Sequence, residues 1–294
     1  MMNDALRAML KSYGPMKRQL DDIHALREIV QKLTLLGLHR GGFFEKASFY
    51  GGTALRILYN LDRFSEDLDF CLHSPDPHFQ LSPYFESIST ELARFGLDAF
   101  IEEKRSGPEF PIESAFVKHD TAKGLLVIGK STSKTPKGQL VKIRLEVDKS
   151  NPAGAKPSQK LISLPTPFMV RTLTEDSLFA GKIHALIARN YLNRVKGRDY
   201  YDFLFYAARG TKINLKYLES KLRDSNHFDG VERLSIDRAI SILKRKFSTV
   251  DFEKAKSDVR PFLKPETYGD LDEWSVELFS ALAQNLQAEK DNGS

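Results

Sequence analysis

The 294 residues contain a single cysteine, Cys71, which excludes an internal disulfide and any cysteine-based zinc cluster. Its thiol reads as a small buried hydrophobe in a chain made for a reducing compartment. No apolar run approaches the roughly 20 residues needed to cross a bilayer, so no membrane span is expected. The start, MMNDALRAMLKSYGP, lacks the uninterrupted apolar core and small-residue cleavage site of a secretory signal, which points to the cytoplasm. There is no internal repeat and little charge of one sign: 44 Lys and Arg stand against 39 Asp and Glu. What is present suits a globular protein, with 41% hydrophobic and 28% charged residues, and a length that favours two domains over one.

The basic residues are unevenly spread. Lys104 to Lys160 holds 12 Lys and Arg against 5 Asp and Glu, a stretch able to face a polyanion. Apolar spacing predicts a helix over Asp21 to Leu36, on a face of Ile23, Leu26, Val30, Leu33 and either Leu36 or Leu38, broken by Gly37 and the Gly41-Gly42 pair. Phe49-Tyr50 then runs into Gly51-Gly52-Thr53 as a short strand whose tight turn opens a helix. Asp67 to Leu72 alternates like a strand, Pro83 to Phe95 reads as a helix, and Ala115 to His119 and Leu125 to Ile128 read as strands. The clearest strand is Val141 to Asp148: Val141, Ile143, Leu145 and Val147 point one way, Lys142, Arg144, Glu146 and Asp148 the other. The proline-bearing KSNPAGAKPSQKLISLPTP reads as an irregular boundary between domains 1–165 and 166–294. Beyond it a helix should start at Thr174, with Glu175 and Asp176 in its first turn, and run to about Asn190. Further helices are expected at Asp199 to Ala208, Leu215 to Arg223, Ser235 to Phe247 and Leu271 to Ala288, with a frayed KDNGS end.

In Asp67-Leu68-Asp69 two carboxylates project from one face of a strand with Cα atoms about 6.5 to 7 Å apart, while Leu68 and Phe70 enter the core. Like charges held that close need a cation, and a hard ion such as Mg²⁺ suits oxygen donors. Gly51-Gly52-Thr53, one short helix upstream, lets backbone N–H groups and a hydroxyl approach a phosphate. A third carboxylate is required if one ion activates a hydroxyl while another holds a triphosphate, and Glu146 is the best candidate, with Asp148 two residues along the same face. Arg63 and Ser65 either contact phosphate or end the loop. Lys182 and Arg189 lie about 20° apart around their helix and about 10.5 Å apart along it, so both flank the stripe of Phe179, Ile183, Leu186 and Ile187. Arg198-Asp199-Tyr200-Tyr201-Asp202 opens the next helix, as a functional group or as a cap with a buried ion pair.

Together, YGGTALRILYNLDRFSEDLDF, GKIHALIAR and RDYYDF resemble the AbiEii/AbiGii toxin family, a branch of the polymerase-β-like nucleotidyltransferases, over about residues 20 to 208. The superfamily signature is Gly-Gly or Gly-Ser followed by an acidic pair spaced by one hydrophobic residue. Gly52-Thr53 and Asp67-Leu68-Asp69 match it, with Thr53 where serine is usual. The resemblance implies an α+β fold, in which a mixed sheet with flanking helices is followed by a mainly helical domain that contributes Lys182 and Asp199 or Asp202 to the cleft. It carries the acidic pair onto Asp67 and Asp69, the sheet carboxylate onto Glu146, the lysine onto Lys182 and the late aspartate onto Asp199 or Asp202. Gly51, Gly52, Thr53, Ser65, Lys182 and Arg189 are then the nucleotide-binding residues. Also implied are two Mg²⁺ ions, or Mn²⁺, a nucleoside triphosphate, an RNA acceptor such as the tRNA end, and a separately encoded antitoxin. A glycosyltransferase also uses an Asp-x-Asp site, but only about 66 residues precede it here, too few for the usual nucleotide-binding sheet. A non-catalytic nucleotide- or RNA-binding module and transfer to a protein acceptor are the other readings.

Overall fold

The computed structural model describes residues 4–14, 16–150, 153–189, 195–229 and 231–289, and the chain divides into two compact units. The first comprises Met1–Asn60, Phe64–Asn151 and Ser158–Thr172. Its elements in order are α1 (Asp4–Lys11), α2 (Gln19–Arg40), β1 (Ala47–Tyr50), α3 (Gly51–Tyr59), β2 (Leu68–Leu72), α4 (Phe85–Arg94), β3 (Ala99–Arg105), β4 (Ile112–Asp120), α5 (Thr121–Val127), β5 (Leu140–Asp148), β6 (Pro157–Ile162) and β7 (Phe168–Leu173). The strands form one mixed sheet in the order β3-β4-β5-β2-β1-β7-β6. β2 sits at its heart, antiparallel to β1 and parallel to β5. The alternation of β5 appears as expected: Val141, Ile143, Leu145 and Val147 are buried and Lys142, Arg144, Glu146 and Asp148 face the other way.

Helix α2 is longer and more central than its apolar face suggested. It is buried on nearly every side and runs through Gly37 to Arg40. Gly37 therefore does not break it: a Cβ there would stand 2.6 Å from the Ile88 Cα, so the glycine allows α4 to cross at close range. Asp21 ties the start of α2 by accepting from the Arg18 N–H at 3.0 Å. Leu125 to Ile128, expected as a strand, belongs instead to α5 and its end. A four-residue apolar run does not distinguish helix from strand, and the Asp120 carboxylate decides the matter by accepting from the Lys123 N–H at 2.8 Å as N-cap. The proline-bearing segment is also less irregular than expected, since it holds β6. Proline is tolerated where it stands here, as the first residue of a strand at the sheet edge. β3 and β7 had no counterpart in the sequence reading. β7 stays with the first unit because Thr172 pairs with Phe49 of β1.

The second unit comprises Leu61–Arg63, Pro152–Pro157 and Leu173–Ser294. It carries α6 (Glu175–Ala188), α7 (Gly197–Ala208), α8 (Leu215–Asp224), α9 (Ile236–Phe247), α10 (Phe252–Val259) and α11 (Val276–Gln284). Asn214, Ser235, Asp251 and Ser275 cap the last four, each accepting from the backbone N–H three residues on. Expected helix starts at Leu215 and near Ser235 agree, whereas Leu271 to Ala288 shortens to α11 and α10 was not anticipated. Phe179, Tyr200, Phe203, Tyr206, Phe247 and Phe279 fill the core of this unit. Gly197 is needed for packing, as a Cβ there would lie 1.8 Å from the Ala255 carbonyl oxygen of α10. Asn190 and the 290–294 terminus, the expected helix end and frayed tail, lie outside the described residues.

Candidate active site

The acidic residues of the first unit are positioned by register. Asp69 of β2 stands opposite Glu146 of β5, and Leu68 opposite Leu145, so Asp67 comes level with Arg144. Leu68, Phe70, Leu145 and Val147 are fully buried behind them, which turns Asp67, Asp69, Arg144 and Glu146 to the other face. Arg144 reaches both flanking acids: its guanidinium lies 3.5 Å from the Asp67 carboxylate and 3.1 Å from that of Glu146. Asp67 and Glu146 are thus within the span of one guanidinium. Burial works against charge on Arg144, yet the fields of Asp67, Glu146 and Asp69 outweigh it and raise its pKa above the ordinary value.

Gly51 begins α3 directly after the Tyr50–Asp69 pair of the β1–β2 ladder. Its φ of +82° favours glycine, and a Cβ would stand 2.3 Å from Asp69 Oδ2 and 3.1 Å from Asp69 Cβ and Cγ. Gly51 is therefore the cradle against which the Asp69 carboxylate rests. Gly52 and Thr53 complete a first helical turn whose N–H groups have no intrahelical acceptor. The Thr53 hydroxyl, expected at a phosphate, is fully buried and donates to the Asp67 carbonyl oxygen. It fixes the acidic pair from behind. The Ser65 carbonyl accepts from the Gln31 amide at 3.2 Å, which anchors the approach to Asp67.

Three carboxylates on one face are hard oxygen donors, and their chemistry fits a hard divalent ion. Among the described residues, however, no three carboxylate, imidazole or thiol groups converge tightly enough to hold one as they stand. Arg144 lies between two of them, as the counter-cation of Asp67 and Glu146.

The later candidates meet one another in the second unit. Asp202 is fully buried and accepts a two-pronged bond from Arg63, with Nε–Oδ1 and Nη2–Oδ2 each 2.7 Å. Lys182 of α6 donates its ammonium to Asp202 at 2.6 Å and lies 3.5 Å from Asp199. Arg189, just past the end of α6, pairs with the other oxygen of Asp199. Burial raises the Asp202 carboxyl, but Arg63 and Lys182 outweigh it and leave the group below the usual carboxylate range. Asp202 is thereby distinguished from Asp199: it locks Lys182 and Arg63 together. Lys196, which precedes α7, is pushed below the ordinary lysine value by burial and then by Arg189, with Asp199 opposing. Arg63, Arg144 and Lys196 are the members whose roles the sequence did not reveal. The basic stretch is largely consumed locally: Lys104 and Lys118 pair with Glu102, Lys130 with Asp22, and Lys149 donates to the Pro77 and Gly107 carbonyls. Lys134, Lys137 and Lys142 remain exposed.

A mixed seven-stranded sheet with flanking helices, carrying a glycine turn beside an acidic strand, is the framework of a nucleotidyltransferase-type fold. The family described as nucleotidyl transferase AbiEii toxin, type IV toxin–antitoxin system, matches residues 34–283, and the chain belongs to it. No protein of curated function matches. The chain is similar to the crystal structure of JHP933 from Helicobacter pylori, at 19% identity and a TM-score of 0.48, with 92% of each chain covered. It is also similar to the structure of a candidate nucleotidyltransferase from H. pylori, at 18% identity and 0.48, covering 92% of this chain and 95% of that one. No helix among the described residues is long and apolar enough to cross a membrane.

Proposed function

We propose that this chain transfers the nucleoside monophosphate of a nucleoside triphosphate to an RNA acceptor, the 3′ end of a tRNA, and acts as the toxin of a pair with a separately encoded antitoxin. The observation that carries the reading is the register that sets Asp69 against Glu146 beside the glycine-built start of α3. Asp67, Asp69 and Glu146 would hold two Mg²⁺ ions, with Mn²⁺ as substitute; when bound, the ions supply Lewis-acid polarisation and a lowered hydroxyl pKa. The acceptor hydroxyl gives up its proton to water, its oxygen bonds to the α-phosphorus, the bond from the α-phosphorus to the bridging oxygen of the β-phosphate breaks, and pyrophosphate leaves. The N–H groups of Gly51, Gly52 and Thr53 are assigned to a phosphate of the triphosphate. Lys182 and Arg189 are assigned to triphosphate charge, Asp199 to holding both, and Asp202 to positioning Lys182. Exposed Lys134, Lys137 and Lys142 guide the RNA backbone through salt-sensitive contacts.

One observation favours a second reading. Arg144 neutralises two of the three carboxylates, which is what a non-catalytic nucleotide- or RNA-binding module would retain. Incubation with labelled triphosphates and a broad RNA pool separates the two. Label entering RNA with wild-type protein, and lost in Asp69→Ala at unchanged melting temperature, is the expected result. Absence of label with every triphosphate supports the binding module, and label on polypeptide moves the acceptor from RNA to protein.

A further inference from the structure

Arg144 pairs with both Asp67 and Glu146, and its setting contrasts with that of Arg63. The Arg63–Asp202 pair is sealed, with side-chain exposures of 2% and 0%. The Arg144 side chain is 42% exposed, and its partners Asp67 and Glu146 are 29% and 30% exposed. A sealed pair is part of the fold, whereas ion pairs open to water contribute little and open readily. Arg144 also engages its partners unevenly, 3.1 Å to Glu146 and 3.5 Å to Asp67, without the two-pronged geometry that Arg63 has on Asp202. Its strand neighbour across the β4–β5 ladder is Phe116, which offers no competing charge, so the guanidinium turns to the acids of β2 and of its own strand.

We infer that Arg144 is a displaceable internal counter-cation: it holds Asp67 and Glu146 in the metal-free protein, competes with divalent metal for them, and on displacement offers its guanidinium to a phosphate of the nucleotide. The inference rests on the metal-dependent reading above. Carboxylates left without any cation would repel, so the arginine offsets the charge of Asp67 and Glu146 until an ion replaces it. A guanidinium is suited to the exchange because its planar donors match carboxylate and phosphate equally.

The test is titration of the full chain with Mn²⁺ alone by calorimetry, comparing wild type, Arg144→Gln and Arg144→Lys, with Asp69→Ala as the site control. Loss of an exposed competing cation should tighten Mn²⁺ binding in Arg144→Gln by about 3- to 10-fold, or about 0.7 to 1.4 kcal/mol. Arg144→Lys, which keeps the charge, should stay within about twofold of wild type. With Mn²⁺ saturating, a non-hydrolysable triphosphate should bind Arg144→Gln at least several-fold more weakly than wild type. If Arg144→Gln binds Mn²⁺ equally or more weakly while Asp69→Ala abolishes binding, Arg144 is a fixed strut and the inference fails alone. If neither wild type nor Arg144→Gln binds Mn²⁺, the metal reading fails and the inference with it.

Discussion

Replacing Gly51 by alanine separates backbone strain from the geometry of the acidic pair, because a second glycine supplies the comparison. Gly51 and Gly129 both have left-handed backbones, φ +82° and +69°. A Cβ at Gly129 meets nothing within 4 Å, whereas one at Gly51 comes to 2.3 Å from Asp69 Oδ2. Each alanine costs about 1 to 2 kcal/mol for its backbone conformation. At roughly 2 to 4 °C per kcal/mol for a protein of this size, both variants should melt about 2 to 8 °C below wild type. Only Gly51→Ala adds a clash more than about 1 Å inside the ordinary contact distance of about 3.5 Å. Asp69 must turn away to relieve it, since the Cβ also sits 3.1 Å from the Asp69 Cβ and Cγ.

A displacement of about 1 Å at a reacting centre costs on the order of 100-fold in rate. The assay is therefore paired: melting temperature by calorimetry, and nucleotide incorporation per unit time at saturating triphosphate. Gly129→Ala should keep its rate within about twofold, and Gly51→Ala should lose about 100-fold. If Gly51→Ala transfers nucleotide as fast as Gly129→Ala, the Asp69 carboxylate has no positional role in the reaction and the site assignment is wrong.

Asp202→Asn removes the buried counter-charge that Arg63 and Lys182 share and leaves Lys182 with Asp199 alone, and breaking such a pair costs about 3 kcal/mol or more. The second unit should melt roughly 6 to 12 °C lower in a thermal scan. Because the folded Asp202 carboxyl lies below its unfolded value of about 3.9, its stabilisation is complete above that pH and lost as pH falls through the lower folded value. Acid titrations below about pH 4 should accordingly weaken wild type more than the asparagine variant. At the alkaline end, burial and then Asp62 push Tyr201 up to about 12. Here the protonated form is favoured in the fold, so its stabilisation is present below the unfolded value of about 10 and drains away as pH rises from there toward 12. Tyr201→Phe should remove that part of the alkaline decline in a denaturant series, and an unchanged slope would contradict the burial argument.

What was legible in the residues divides along the distance between partners. The alternation of β5 and the Gly-Gly turn leading to an acidic strand are local patterns, and both stand where their periods implied. The pairing of Lys182 and Arg189 through Asp199 was half legible: helical spacing put the two cations on neighbouring faces, but only the fold shows what they share. Arg63 and Asp202 are 139 residues apart, and nothing near either names the other. Arg144 is the most instructive case, since the alternation of β5 shows it only as one of four polar residues on a strand face. Its meaning comes from the parallel register that sets Leu68 against Leu145 and so brings Asp67 level with it. A shift of one residue in that register would send Glu146 into the core and Leu145 out, a change that the buried Leu68, Phe70, Leu145 and Val147 resist. The apolar half of two strands thus determines which acids and which arginine meet, although no chemistry is written in those residues themselves.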